Sequence, residues 1–99
     1  MDINGYRQSL TADNPPAGVS EPLKALWHDA KGGWQRAHEI VQAAKGKESA
    51  RVHAYLHRKE GDLDNANYWH ARAGSTMPDT TLEREWEALV TTLLKKDTK

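Results

Sequence analysis

Apolar side chains near the end of the chain recur at the helical period and predict an amphipathic helix over residues 80–96. Six large apolar side chains share one face of this segment: Leu82, Trp86, Leu89, Val90, Leu93 and Leu94. Residues 80–83, Thr-Thr-Leu-Glu, fit a capping box in which a threonine hydroxyl and the Glu83 carboxylate each accept a hydrogen bond from a free backbone amide. Lys95 and Lys96 follow at the other end, where positive charge complements the helix dipole. We therefore expect a C-terminal helix that caps the domain.

The same period recurs earlier in the chain and predicts two helical hairpins, one over residues 20–45 and one over residues 48–74. Ser20 stands at the N-cap position of the first hairpin, and Gly32-Gly33 ends its first helix. Gly61-Asp62 makes the corresponding turn of the second hairpin. The helix before that turn carries apolar, aromatic or histidine side chains around most of its circumference, so we expect it to be the central helix.

Large apolar side chains are expected to form the core. The chain has four tryptophans, each with a large area to bury: Trp27, Trp34, Trp69 and Trp86. Leu63 is placed inward, together with Ala66 and Trp69, on the last helix of the second hairpin. Tyr55 and Tyr68 are expected to be partly exposed, with their hydroxyls available to a ligand.

Residues 1–19 include several residue types that favour turns, and we predict that this segment is an extended N-terminal arm. Pro15-Pro16 fixes φ and lacks backbone donors. Tyr6 and Leu10 precede that turn, in a strand-like or one-turn segment. The arm either lies across the helical surface or is a disordered tail. Residues 20–99 are expected to form a single all-α domain of about five helices.

The two hairpins repeat a motif at a spacing of 29 residues, from Gly32 to Gly61. The matched sets are Gly32-x-Trp34-x-x-Ala37 with Ala44, and Gly61-x-Leu63-x-x-Ala66 with Ala73. This motif resembles the turn of tetratricopeptide repeats, whose period is about 34 residues. The resemblance implies stacked helical hairpins that bind a peptide on a concave side.

Two longer segments carry a second resemblance. Residues 25–41 read ALWHDAKGGWQRAHEIV and residues 53–69 read HAYLHRKEGDLDNANYW. They are similar to a family of small bacterial and fungal proteins with LWHDAKGDW and HAYLHRKEGD…NA.YW segments. That resemblance implies no particular activity.

The balance of charge excludes several classes of partner. The chain has 14 basic and 14 acidic residues, and a protein without a basic stripe is not expected to bind nucleic acid.

There are no cysteines, which excludes disulfides and cysteine-based zinc sites. No apolar run approaches the ~18 residues of a membrane span, and the N-terminus does not read as a signal peptide. We expect a cytoplasmic protein with no membrane partner.

The histidines of the second hairpin are the first candidates for chemistry. His53 and His57 lie four residues apart, a spacing that lets two imidazoles of one helix meet one metal ion. A third ligand could come from the set His28, His38, His70 or Glu60. The favoured interpretation is that these histidines are structural, either packed or hydrogen-bonded. Accordingly, no metal ligand and no cofactor are assigned from the sequence.

Polar side chains crowd the turn of the second hairpin. They suggest a pocket for a small anion or a peptide terminus, with Arg58 as donor and Asn65 as an adaptable amide. The favoured alternative is that Asp62 or Asp64 caps the next helix and that Arg58 pairs with a nearby carboxylate. The candidate binding residues are Arg51, His53, Tyr55, His57, Arg58, Glu60, Asn65 and Tyr68.

Three functional hypotheses follow. The first is a non-catalytic interaction module that binds a protein or peptide partner in a groove lined by Arg51, Tyr55, Arg58 and Lys59, the positions that face the concave side in the repeat register. The second is a small-molecule or metal site, enzymatic or not, built from His53, His57, Arg58, Glu60 and Asn65. The third is a homodimer formed through Trp86, Leu89 and Leu93 of the last helix.

Overall fold

Six α-helices make up the regular structure of residues 1–97, the part of the chain that this computed structural model describes. The helices are α1 (Ile3–Ser9), α2 (Glu21–Ala30), α3 (Trp34–Ala43), α4 (Lys47–Lys59), α5 (Leu63–Ala73) and α6 (Leu82–Asp97). No strand occurs within these residues. The predicted all-α class is confirmed, with α2–α3 and α4–α5 as the two hairpins. The predicted domain runs to residue 99, and its last two residues lie outside the described part.

The N-terminal segment differs from the predicted extended arm, because it begins with a helix. The Asp2 carboxylate caps α1 by accepting a hydrogen bond from the Gly5 backbone N–H at 2.9 Å. Tyr6 is fully buried, and its hydroxyl donates to the Leu23 carbonyl. Arg7 forms an ion pair with Glu87 of α6 at 2.5 Å. This short helix is therefore held by contacts with distant parts of the chain, which local periodicity does not reveal.

Helix α4 lies at the centre of the structure, as predicted. It packs against α2, α3, α5 and α6. Every residue from Val52 to His57 is buried, on all sides of the helix. Because a helix surrounded by other helices has no solvent face, its polar side chains must find partners inside the protein.

Helix α5 turns a different face inward from the one expected. Ala66 is fully buried and His70 nearly so, whereas Leu63 is 55% exposed and Trp69 is half-buried. The prediction that Leu63 points inward is wrong: Leu63 is the first residue of α5, and its side chain is exposed. Asp62 caps α5 by accepting a hydrogen bond from the Asn65 backbone N–H at 3.2 Å.

Helix α6 begins one residue later than the predicted capping box requires. The Arg84 backbone N–H donates to the Thr81 hydroxyl at 3.1 Å, so Thr81 rather than Thr80 is the cap. The apolar face of α6 is buried against the rest of the chain, including the predicted dimer-forming residues Trp86, Leu89 and Leu93. Within residues 1–97, no helix combines the length and apolar character needed to cross a membrane.

Candidate functional site

Helices α3 and α4 bring three imidazoles together, and we call His38, His53 and His57 the histidine cluster. The ring centroids lie 4.8 Å apart for His38 and His53, 5.2 Å for His38 and His57, and 4.9 Å for His53 and His57. One ring nitrogen from each histidine lies within 4.8 Å of the other two. His53 and His57 meet because they are one turn apart on α4, and His38 joins them because α3 packs across that face.

The closest contact in the histidine cluster joins two ring nitrogens. His53 Nε2 lies 3.1 Å from His38 Nε2, so one neutral ring donates a hydrogen bond to the other. In a tetrahedral zinc site with Zn–N bonds of about 2.0–2.1 Å, two ligand nitrogens are about 3.3 Å apart. The His38–His53 pair therefore already has nearly the separation that two ligands of one ion require.

His57 is oriented by a carboxylate at the end of α4. Its Nδ1 lies 2.6 Å from Glu60 Oε2, and this contact leaves Nε2 as the nitrogen free to bind. Histidines that bind metals commonly donate their other ring N–H to a carboxylate, which fixes the ring and makes it a better ligand. Glu60 thus supports the histidine cluster through His57.

Two tryptophans hold the rings of the histidine cluster in place. The Trp34 ring stacks on His38, with centroids 5.0 Å apart and planes 8° from parallel. Trp69 stacks on His53, with centroids 3.9 Å apart and planes 13° from parallel. Trp34 is itself fixed, because its indole N–H donates to the Leu56 carbonyl at 2.8 Å. His38 and His53 therefore each have a tryptophan ring stacked against them, which limits the freedom of their side chains.

The surroundings favour the neutral forms of His38 and His53. Burial lowers the pKa of His53 to about 4, helped by repulsion from His38 and His57. Burial also lowers the pKa of His38, with repulsion from His57 as a further cause. The His53 Nδ1 atom is buried without a hydrogen-bond partner among the described residues. The neutral rings of His38 and His53 offer lone pairs to a cation, because histidine binds a metal in its neutral form.

The arginines of the predicted binding set belong to a different cluster. Arg51 and Arg58 lie on the other side of α4 and form ion pairs with Glu85 of α6, at 2.7 and 2.6 Å. Arg58 also donates to the Thr80 carbonyl. The Glu85 side chain is only 1% exposed. Arg58 thus pairs with a carboxylate, as the alternative interpretation expected, but this carboxylate belongs to α6 rather than to the hairpin. We call Arg51, Arg58 and Glu85 the arginine cluster.

Tyr55 and Lys59, which were expected to line the same groove, bind a buried carboxylate of α2. The Tyr55 hydroxyl donates to Asp29 Oδ2 at 3.3 Å, and the Lys59 ammonium lies 3.0 Å from Asp29 Oδ1. Tyr55 is 3% exposed, so its predicted partial exposure is wrong. Burial, together with the negative charge of Asp29, raises the pKa of the Tyr55 hydroxyl. The residues expected to line the groove are therefore already bound within the chain. Tyr55 and Lys59 contact Asp29, and the two arginines contact Glu85 of α6.

The last two predicted binding residues lie on α5. The Asn65 side chain donates to Asp62 Oδ2 at 2.7 Å and so forms part of the helix cap. Tyr68 is 53% exposed, as predicted, and its hydroxyl accepts a hydrogen bond from Arg72 at 3.3 Å. The structure therefore divides the predicted set among four places: the histidine cluster, the arginine cluster, Asp29 and the surface of α5. Only His53, His57 and Glu60 contribute to the histidine cluster.

Sequence reasoning named His38 only as one of several third ligands, and it placed Trp34 and Trp69 in the core without linking them to the histidines. The four-residue spacing of Trp34 and His38 is a signal that could have found that pair, because it puts both rings on one face of α3. Comparison of the chain with protein-family models, with curated proteins and with solved structures gives no match. The functional argument therefore rests on the geometry of this chain.

Proposed function

We propose that this protein is a metal-binding domain that takes one divalent transition-metal ion at His38, His53 and His57. The observation that carries the proposal is the convergence of one ring nitrogen from each histidine within 4.8 Å. The spacing of His53 from His38 is already close to that of two ligands on one ion. Small rotations of the side chains would bring His57 to the same distance.

The donor set favours zinc, copper, nickel or cobalt over magnesium and calcium. Imidazole nitrogen is a ligand of intermediate softness that suits the later first-row metals, whereas magnesium and calcium prefer oxygen. The Glu60 carboxylate is hydrogen-bonded to His57 Nδ1, and an Asp62 carboxylate oxygen also lies within 4.8 Å of a His57 ring nitrogen. The position of Glu60 supports a role in orienting the ligand, as in other histidine metal sites.

Metal binding at this position would join α3 to α4 within the core. An ion that binds the folded state alone stabilises it by about 2.7 kcal/mol when its free concentration is 100 times the dissociation constant. The expected consequence is a metal-dependent rise in the unfolding temperature.

The test is a thermal unfolding series on metal-stripped protein with zinc, nickel and cobalt, paired with calorimetric titration. We expect one ion per chain for the natural sequence, and loss of the shift in His38→Gln and in His57→Gln. His28→Gln is the matched control, because His28 is a half-buried histidine that packs edge-on against Trp27, with ring centroids 5.1 Å apart, outside the histidine cluster. An unchanged unfolding temperature in all three metals, or an equal shift in His38→Gln, would rule out the proposal.

A second candidate function is the binding of a protein or peptide partner, as in the tetratricopeptide-like interpretation. The observation that favours it is a cleft of about 320 Å³ between α4 and α6, with Arg51 and Lys47 on one side and Lys96 and Leu93 on the other. Arg51 and Lys96 are already in ion pairs with Glu85 and Glu48. Lys47 is therefore the cation proposed to meet the carboxylate end of a peptide beside this apolar surface. Titration of isotope-labelled protein with a short peptide ending in a free leucine carboxylate tests it by amide shifts. Shifts at Leu93 that vanish in Lys47→Gln would support it, and unshifted amides throughout the cleft would contradict it.

A further inference from the structure

We propose that the metal ion at the histidine cluster keeps one coordination position open for a small monodentate ligand, either a water-derived hydroxide or a small anion. This inference rests on the proposed function and gives the chemical class of ligand that the site takes. It follows from three properties of the cluster: the number of its donors, their charge and their access to solvent.

The first property is the number of donors. Among residues 1–97, the group of His, Asp and Glu side chains whose donor atoms converge on this point contains His38, His53 and His57 only. Glu60 and Asp62 form a separate group with His57, and Glu60 occupies the Nδ1 side of that ring. Asp62 is engaged as the cap of α5. Zinc and cobalt take at least four ligands, and three protein ligands with one exchangeable ligand is the pattern of an open site.

The second property is charge. Three neutral imidazoles contribute no negative charge, so a bound divalent ion would keep its full double charge. His53 and His57 are 3% and 8% exposed, and an uncompensated charge among buried groups is unfavourable. An anionic fourth ligand reduces that charge, whereas a neutral organic ligand does not. A divalent ion in such a site also makes its bound water more acidic, which produces a hydroxide ligand near neutral pH.

The third property is access to solvent. His38 and Trp34 are half-buried, and the Glu60 side chain is 39% exposed, so the cluster reaches the surface along α3. Trp69 covers His53 with its ring. A ligand of an ion held by these three histidines would lie against the buried side chains of His53 and His57. The site therefore favours ligands of a few atoms, such as azide, cyanate or formate.

The test uses the cobalt(II)-loaded protein, because the visible absorption of cobalt(II) reports the number and type of its ligands. Azide is the probe, and sodium perchlorate at equal ionic strength is the matched control, since perchlorate coordinates metals poorly. We expect azide to change the visible bands with a single saturable dissociation constant, and perchlorate to leave them unchanged. His28→Gln should respond as the natural sequence does.

The outcomes separate this inference from the proposed function. If cobalt binds and the bands stay the same in saturating azide, the fourth position is not open, and the inference fails while metal binding stands. If cobalt binding doubles the mass of the protein in sedimentation, a second copy supplies the fourth ligand and the inference is likewise overturned. If no cobalt binds, both proposals fail.

Discussion

The two faces of α4 carry polar clusters that differ in how completely their groups are paired. On one face, Arg51 and Arg58 surround the buried carboxylate of Glu85, with both charges of opposite sign to it. On the other face, His38 and His53 are hydrogen-bonded to each other, and His53 Nδ1 has no partner among the described residues. The ionised groups of the arginine cluster, two positive and one negative, are all in ion pairs, so this cluster needs no ligand. The ring nitrogens of the histidine cluster converge within 4.8 Å and can bind a cation, and this difference is why we assign structure to the first and binding to the second.

The largest effect should follow from breaking the arginine cluster. Glu85→Gln removes the negative charge and leaves Arg51 and Arg58 largely buried without a counter-ion. Removal of one partner from a buried ion pair costs about 3–5 kcal/mol, and because the arginines are partly exposed we expect about 3 kcal/mol. The measurement is the free energy of unfolding in urea.

The control for that variant is Glu87→Gln, which removes a carboxylate of the same helix from an exposed pair with Arg7. Exposed pairs contribute about 0–1 kcal/mol, so this variant should unfold almost as the natural sequence does. Equal losses of unfolding free energy in the two variants would show that the arginine cluster contributes no more to stability than an exposed ion pair does.

A change on the histidine face should have a smaller effect on stability, and this effect should appear mainly when metal is present. His53→Leu removes the unpartnered nitrogen and keeps an apolar side chain beneath Trp69. We expect the metal-free variant to unfold within about 1 kcal/mol of the natural sequence, because the loss of the hydrogen bond to His38 is offset by removal of the buried nitrogen without a partner. The same variant should lose all stabilisation by zinc, about 2.7 kcal/mol at 100 times the dissociation constant. A loss above about 3 kcal/mol without metal would mean that His53 is a structural residue.

The stability of the metal-free protein should also depend on pH through His53. His53 is neutral in the fold down to a pKa of about 4, whereas the unfolded chain takes up its proton near the ordinary value of 6.5. The unfolded state therefore binds more protons between these values, and the free energy of unfolding of the metal-free protein should fall as the pH is lowered from 6.5 to 4. Urea unfolding at three pH values in this window measures the slope. His53→Leu should make the slope shallower, and an unchanged slope would contradict the assignment.

The smallest effect should come from the end of α6 that closes over the arginine face. Thr81→Ala removes the hydroxyl that caps the helix and should cost about 1 kcal/mol. Thr80→Ala is the control, because the contact with Arg58 uses the Thr80 carbonyl rather than its side chain. Metal binding should be equal in both variants. If Thr80→Ala is the more costly of the two, the predicted capping box would be correct after all.

Local signals in the sequence predicted much of the fold. Gly32 and Gly61 mark the two hairpin turns by their position between periodic segments, and the apolar face of α6 is evident from spacing alone. Helix α1 was missed because it has only seven residues, and Tyr6 holds it through a contact with Leu23 that no local pattern records. Short helices of this kind depend on tertiary packing.

Only part of the candidate site could be predicted from the sequence. His53 and His57 form a pair by helical spacing, but the choice of His38 as their partner depends on how α3 crosses α4. Glu85 was not singled out, because a glutamate in the first turn of a helix already has an explanation in the helix dipole. Its burial between two arginines follows only from the docking of α6.

Trp34 and Trp69, the tryptophans stacked on the histidine cluster, make the intrinsic fluorescence of the protein sensitive to metal binding. Trp34 and Trp69 touch histidines of the cluster, whereas Trp27 stacks edge-on against His28 and Trp86 lies beside Tyr6. The indole fluorescence is thus divided between two emitters within a few ångströms of the binding position and two elsewhere. A paramagnetic ion such as copper(II) would quench the first pair strongly and leave much of the emission of the second, so occupancy can be followed without any label.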